Sequence, residues 1–131
     1  MKKYLWDTGI KTILTGPADL GARAENAVLM ELSRNKPAVG YFAEREREVD
    51  FIVGGADKFI PVEVKFISSF DWSEKKFSGI KLFLRRFPRT RELLLITRSV
   101  DTELKEGQTI VRAIPLWRFL LSSTSYLPAL Q

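Results

Sequence analysis

The stretch VDFIVGGADKFIPVEVKF, residues 49–66, constrains the chain more than any other. Its apolar residues alternate on either side of a Gly-Gly turn, the period-two pattern of a half-buried β-hairpin. Ile60, Val62, Val64 and Phe66 point one way, which leaves Glu63 and Lys65 together on the other face, and Val49, Phe51 and Val53 separate similarly from Asp50. With the hairpin symmetric about positions 56 and 57, Asp50 and Glu63 become direct cross-strand partners, their side chains about 4.5 to 5.5 Å apart. A slip of one residue would put them on opposite faces. Acids in such apolar surroundings cost free energy unless they are paired, hydrogen-bonded or bound to a cation.

The rest of the composition narrows the chemistry open to this pair. The chain has no cysteine and no histidine. That excludes disulfides, cysteine-zinc sites, thiol nucleophiles, Ser-His-Asp arrangements and HExxH hydrolases. Hydrolysis would have to run on carboxylates, Lys, Ser/Thr or a cation held by oxygen ligands, which favour Mg²⁺, Mn²⁺ or Ca²⁺. Lys and Arg number 21 against 16 acids, a formal charge of +5, which suits a polyanionic partner. The 131 residues, 45% apolar and 28% charged, fit one globular domain. No apolar run approaches membrane-spanning length and MKKYLWDTG does not read as a signal peptide, so a cytoplasmic location with no membrane partner is expected.

Around the hairpin, YLWDTGIKTILTG reads as a strand-like stretch and a weak helix ending at Gly16. Pro17 then opens a helical segment, ADLGARAENAVLMELSRN, with Ala24, Ala27, Val28 and Leu32 at helical spacing. Glu25 shares a side with positions 28, 29 and 32, so a carboxylate borders the face that should meet the sheet. VGYFA reads as a strand before the charged EREREVD run. After the hairpin, FDWSEKKFSGIKLFLRRF reads as an amphipathic helix carrying Trp72, Phe77, Ile80, Phe83, Leu84 and Phe87, with Asp71 and Glu74 as a capping box. Lys75, Lys76, Lys81, Arg85 and Arg86 make its outer side basic, and PRTR adds Arg89 and Arg91. ELLLITR reads as a central strand covered on both faces, and TIVRAI as a strand leading through Pro115 into a short helix. The order predicts an α/β domain whose mixed central sheet has helices on both faces. No GxxxxGK[ST] loop is present.

Two adjacent carboxylates repel unless a cation lies between them, and a divalent ion both relieves that repulsion and acidifies water. A neighbouring lysine can orient the water or neutralise charge on a phosphate. An acid-x-Lys triplet alone means little, since Glu103-Leu104-Lys105 also fits. Only Glu63-Val64-Lys65 lies in an alternating apolar stretch with an acid in the neighbouring predicted strand.

In these residues the chain resembles the PD-(D/E)XK nuclease superfamily. YLWDTG, GARAENAVLMEL, VGYFAEREREVDFIV and IPVEVK together look like the nuclease-like C-terminal domain that follows the ATPase module in many archaeal and bacterial AAA-type ATPases. The resemblance covers roughly residues 3–98. It implies a restriction-endonuclease-like core of helix, three-stranded meander, helix and strand within a single domain: an extension over 1–16, a core over 17–98, and a C-terminal strand and helix over 99–131. It further implies metal-dependent DNA hydrolysis with Mg²⁺ or Mn²⁺ held by Asp50, Glu63, the Val64 carbonyl and Glu25, and with Lys65 activating water. The superfamily's proline is replaced by Val49. The basic helix offers Lys75, Lys76 and Arg85 as DNA phosphate contacts, and an ATPase module or a homodimer partner is expected by analogy. The alternatives are a cross-strand ion-pair cluster on a solvated sheet face and, at the level of function, a catalytically silent nucleic-acid-binding or regulatory domain of an ATPase system. Trp6, Tyr41, Trp72 and Trp117 read as core or interface aromatics, and Glu44 to Arg47 as a solvated turn or strand edge.

Overall fold

A computed structural model describes residues 2–3, 20–35, 38–44, 47–54 and 59–127. The expected N-terminal strand and weak helix, the Gly-Gly turn itself and the side chains of Trp6 and Tyr41 lie outside the described residues. Helix α1 (Leu20–Asn35) precedes strands β2 (Ala38–Glu44), β3 (Arg47–Gly54) and β4 (Phe59–Val64), and β1 (Lys2–Lys3) pairs with β2. Helix α2 (Ser78–Arg86) crosses to β5 (Glu92–Thr97), followed by β6 (Thr102–Glu106), β7 (Thr109–Pro115) and helix α3 (Leu116–Ser122). The seven strands form one sheet in the order β1-β2-β3-β4-β5-β7-β6. β1 to β4 meander antiparallel, while β4, β5 and β7 run parallel, with β6 antiparallel at the edge. Among the described residues no helix is long and apolar enough to cross a membrane.

Alternation divides the sheet between two apolar layers. Phe51, Val53, Ile60, Val62, Val64, Leu94 and Ile96 pack under Val28, Leu29 and Leu32 of α1 and Phe119 of α3. Ile52, Leu93, Leu95, Val111 and Ala113 pack under Phe77, Ile80, Phe83 and Leu84 on the other side. β5, central and covered on both faces, is therefore apolar at nearly every position, as its sequence predicts.

Three expectations need correction. The helix expected after Phe70 begins later: a 3₁₀ turn at Lys75–Phe77 leads into α2, and Glu74 makes no side-chain cap. Asp71 instead spends its carboxylate on Ser73, accepting from its backbone N–H at 3.0 Å and its hydroxyl at 2.7 Å, and these bonds lower the Asp71 pKa. Val49 does not face the same way as Phe51 and Val53 but joins Ile52 in the α2 layer. Third, β6 was not expected. It pairs with β7 across a turn at Gly107, whose φ of 60° is the left-handed conformation that glycine adopts without strain. Trp117, read as a core or interface aromatic, lies on the surface at 58% exposure.

Candidate functional site

Strands β3 and β4 pair from Gly54↔Phe59 to Phe51↔Val62, and one further step in that register sets Asp50 opposite Glu63. Here side chains bond to the backbone of the facing strand. The Asp50 N–H donates to Glu63 Oε1 at 3.0 Å, and the Val64 N–H donates to Asp50 Oδ2 at 2.8 Å. The partner strand explains how Asp50 is aimed. Between Gly40↔Ile52 and Phe42↔Val49, β2 contributes one residue, Tyr41, and β3 contributes both Asp50 and Phe51. That extra residue is a β-bulge, which rotates the strand and redirects its side chains. It accounts for Val49 changing layers.

Glu63 lies opposite Leu95 of β5 and is 2% exposed. Its pKa is raised well above the ordinary value, first by burial and then by the charge of Asp50 and a hydrogen bond between the two carboxyls, while Lys65 pulls it down. Lys65 Nζ stands 3.8 Å from Glu63 Oε2 and is itself half-buried. Asp50, Glu63 and Lys65 thus form one cluster, as the hairpin alternation predicts. The Val64 side chain lies in the α1 layer, and its amide donates to Asp50.

Glu25 belongs to α1, the helix packed on the opposite face of the sheet from Glu63. Among the described residues no group of three or more acids converges as a metal cage. The pair therefore offers a cation two carboxylates, and their chemistry suits a hard divalent ion: oxygen donors, a proton that an ion can replace, and an ammonium beside them. Lys75, Lys76 and Arg85 are exposed on the 3₁₀ turn and α2, with Lys76 Nζ 3.4 Å from Glu74. Their helix covers the sheet face toward which Glu63 points.

Sequence reasoning passed over Arg98. β4 and β5 are parallel, so Lys65 and Arg98, the residues just past each strand, share one rim of the sheet. The Arg98 N–H donates to the Ile67 carbonyl at 3.0 Å, and the guanidinium lies 5.9 Å from the Phe66 ring centre. Its signal is position: a charge directly after a parallel strand with an apolar centre, Leu93 to Ile96, where open α/β sheets place their ligands.

Fold and cluster define an α/β domain with a mixed open sheet flanked by helices and an acid pair at the carboxyl end of a parallel strand. A family model described as a domain of unknown function, DUF4143, matches residues 20–119, and the chain belongs to this family. The family is associated with AAA-type ATPase modules as N-terminal neighbours. No curated protein matches the chain. No solved structure matches it either.

Proposed function

We propose that this domain is a divalent-metal-dependent nuclease of restriction-endonuclease-like architecture that hydrolyses DNA phosphodiester bonds. The observation that carries the reading is the Asp50–Glu63 pair, aimed by a bulge and flanked by Lys65 within 3.8 Å of Glu63. When bound, Mg²⁺ or Mn²⁺ would supply a Lewis acid and ease deprotonation of water at neutral pH. Asp50 and Glu63 would hold the ion through their carboxylate oxygens. Lys65 would orient the attacking water and offset negative charge as the ester oxygen leaves phosphorus. Lys75, Lys76 and Arg85 would position the phosphate backbone. A homodimer would present a second site to the second strand of a duplex.

The test is cleavage of labelled single-stranded, duplex and four-way-junction DNA with Mg²⁺, Mn²⁺ or EDTA. Metal-dependent cutting that falls by at least about 100-fold in both Asp50→Asn and Lys65→Ala is expected. Cutting unchanged in Asp50→Asn would remove the catalytic assignment.

One observation favours a second reading, a silent nucleic-acid-binding or regulatory domain of an ATPase system. Glu63 is buried, and one oxygen of each acid is already engaged by a backbone amide. This alternative predicts folded protein with no cleavage, and DNA binding that weakens with salt but survives Asp50→Asn.

A further inference from the structure

At the other end of the hairpin lies a cleft of about 480 Å³ lined by Phe59, Arg86, Phe87, Arg89, Thr90 and Arg91, with Pro88 and Glu92 completing the wall. It opens beside the first residues of β4 and β5, whereas the acid pair lies at their carboxyl ends, about 13 Å away along the strand. The two sites are therefore separate.

The cleft is built on a fixed backbone. Phe87 N–H donates to Phe83 at 2.9 Å, Thr90 N–H and hydroxyl both donate to Phe87 at 3.0 and 2.7 Å, and Ile110 N–H donates to the Arg91 carbonyl at 2.9 Å. Buried Thr109 closes the frame by donating its hydroxyl to the Thr90 carbonyl at 2.6 Å. A loop held at both ends loses little freedom when a ligand arrives.

Two chemistries line it. Phe59 and Phe87 are 40% and 37% exposed, stand edge-to-face with centroids 6.1 Å apart, and rest on the buried ring of Phe83. Beside them, Arg89 and Arg91 are exposed and form no ion pair among the described residues, whereas Arg86 is held bidentately by Glu44 at 2.6 and 3.0 Å. Flat apolar rings favour a planar heterocycle. Exposed guanidinium groups on a rigid loop favour phosphate oxygens. The volume falls within the range of small-ligand sites and suits one base with its sugar and phosphate.

We propose that this cleft binds a single nucleotide unit, with the base against Phe59 and Phe87 and the phosphate on Arg89 and Arg91. A free nucleotide and the terminal nucleotide of a single strand present the same groups. The proposal does not rest on the acid pair.

The test is calorimetric titration of the whole chain in EDTA with four probes: adenosine 5′-monophosphate, adenosine, inorganic phosphate, and a 5′-phosphorylated single-stranded oligodeoxythymidine. The nucleotide is expected to bind at least about 10-fold more tightly than adenosine or phosphate, because only it engages both rings and guanidiniums. Arg89→Ala with Arg91→Ala, and separately Phe59→Leu, should each weaken it by about 5-fold or more, with unchanged circular dichroism showing that the variants fold. Tighter binding of the oligonucleotide than of the monophosphate identifies the source as a strand end, and the reverse a free nucleotide. Phosphate binding as tightly as the nucleotide, absence of nucleotide binding, or affinity unchanged in both variants would each overturn the proposal.

Discussion

Burial raises the Glu63 pKa, and the charge of Asp50 raises it further, so the folded chain holds this proton more tightly than the unfolded one. From the ordinary glutamate range up to the raised value, the folded state carries the extra proton, and stability falls as pH rises through that window. Chemical denaturation between about pH 4 and pH 8 should show this decline, and Glu63→Gln should flatten it and be more stable than the parent at neutral pH. Glutamine keeps an oxygen for the Asp50 amide but cannot ionise. A curve for Glu63→Gln as steep as the parent's would point to another group. Mg²⁺ at the pair would compete with the proton that burial favours on Glu63. Calorimetry in buffers of differing ionisation enthalpy should then read up to about one proton released per ion, and none in Glu63→Gln.

Helix α2 crosses β3 at close range. A Cβ added at Gly79 would collide with the Glu48 carbonyl oxygen and come within 2.9 Å of its nitrogen, two residues before Asp50. Gly79→Ala should therefore cost about 1–3 kcal/mol in urea denaturation, although alanine is the better helix former. An unchanged midpoint would mean that α2 can shift outward freely. The contact was not legible beforehand, since a glycine inside a helical pattern looks the same whether it faces water or a strand. The hairpin register was legible, because pairing symmetric about the turn fixes every partner down to Asp50 and Glu63. The stripe of Ala24, Ala27, Val28 and Leu32 was equally clear, and all of it but Ala27 is buried. Which sheet face α1 would cover was not: a helix records that it has an apolar side but not the strand residues it meets, and α1, which carries Glu25, packs on the face opposite Glu63. The bulge at Asp50 depends on β2 as much as on β3. β6 escaped notice because TELKE is a largely exposed edge strand, and edges carry charge where central strands carry apolar residues.

For the whole molecule the +5 charge becomes a measurable slope. If Lys75, Lys76 and Arg85 each neutralise a phosphate, replacing all three by alanine should reduce the salt dependence of DNA affinity by about 0.9 per contact, and a slope unchanged from the parent would place the contacts elsewhere. The same scale shows what the acid pair does to assembly. β4 joins the antiparallel half of the sheet to the parallel half, so an error in its alignment with β3 would be passed to β5 and β7. The reciprocal bonds, from the Asp50 N–H to Glu63 and from the Val64 N–H to Asp50, belong to this register, and a slip of one residue would turn Glu63 to the opposite face of the sheet. Loss of the pair is therefore expected to slow the search for that register. Asp50→Ala should refold with an added slow phase in stopped-flow fluorescence, as misaligned hairpins reopen before the central strands can dock.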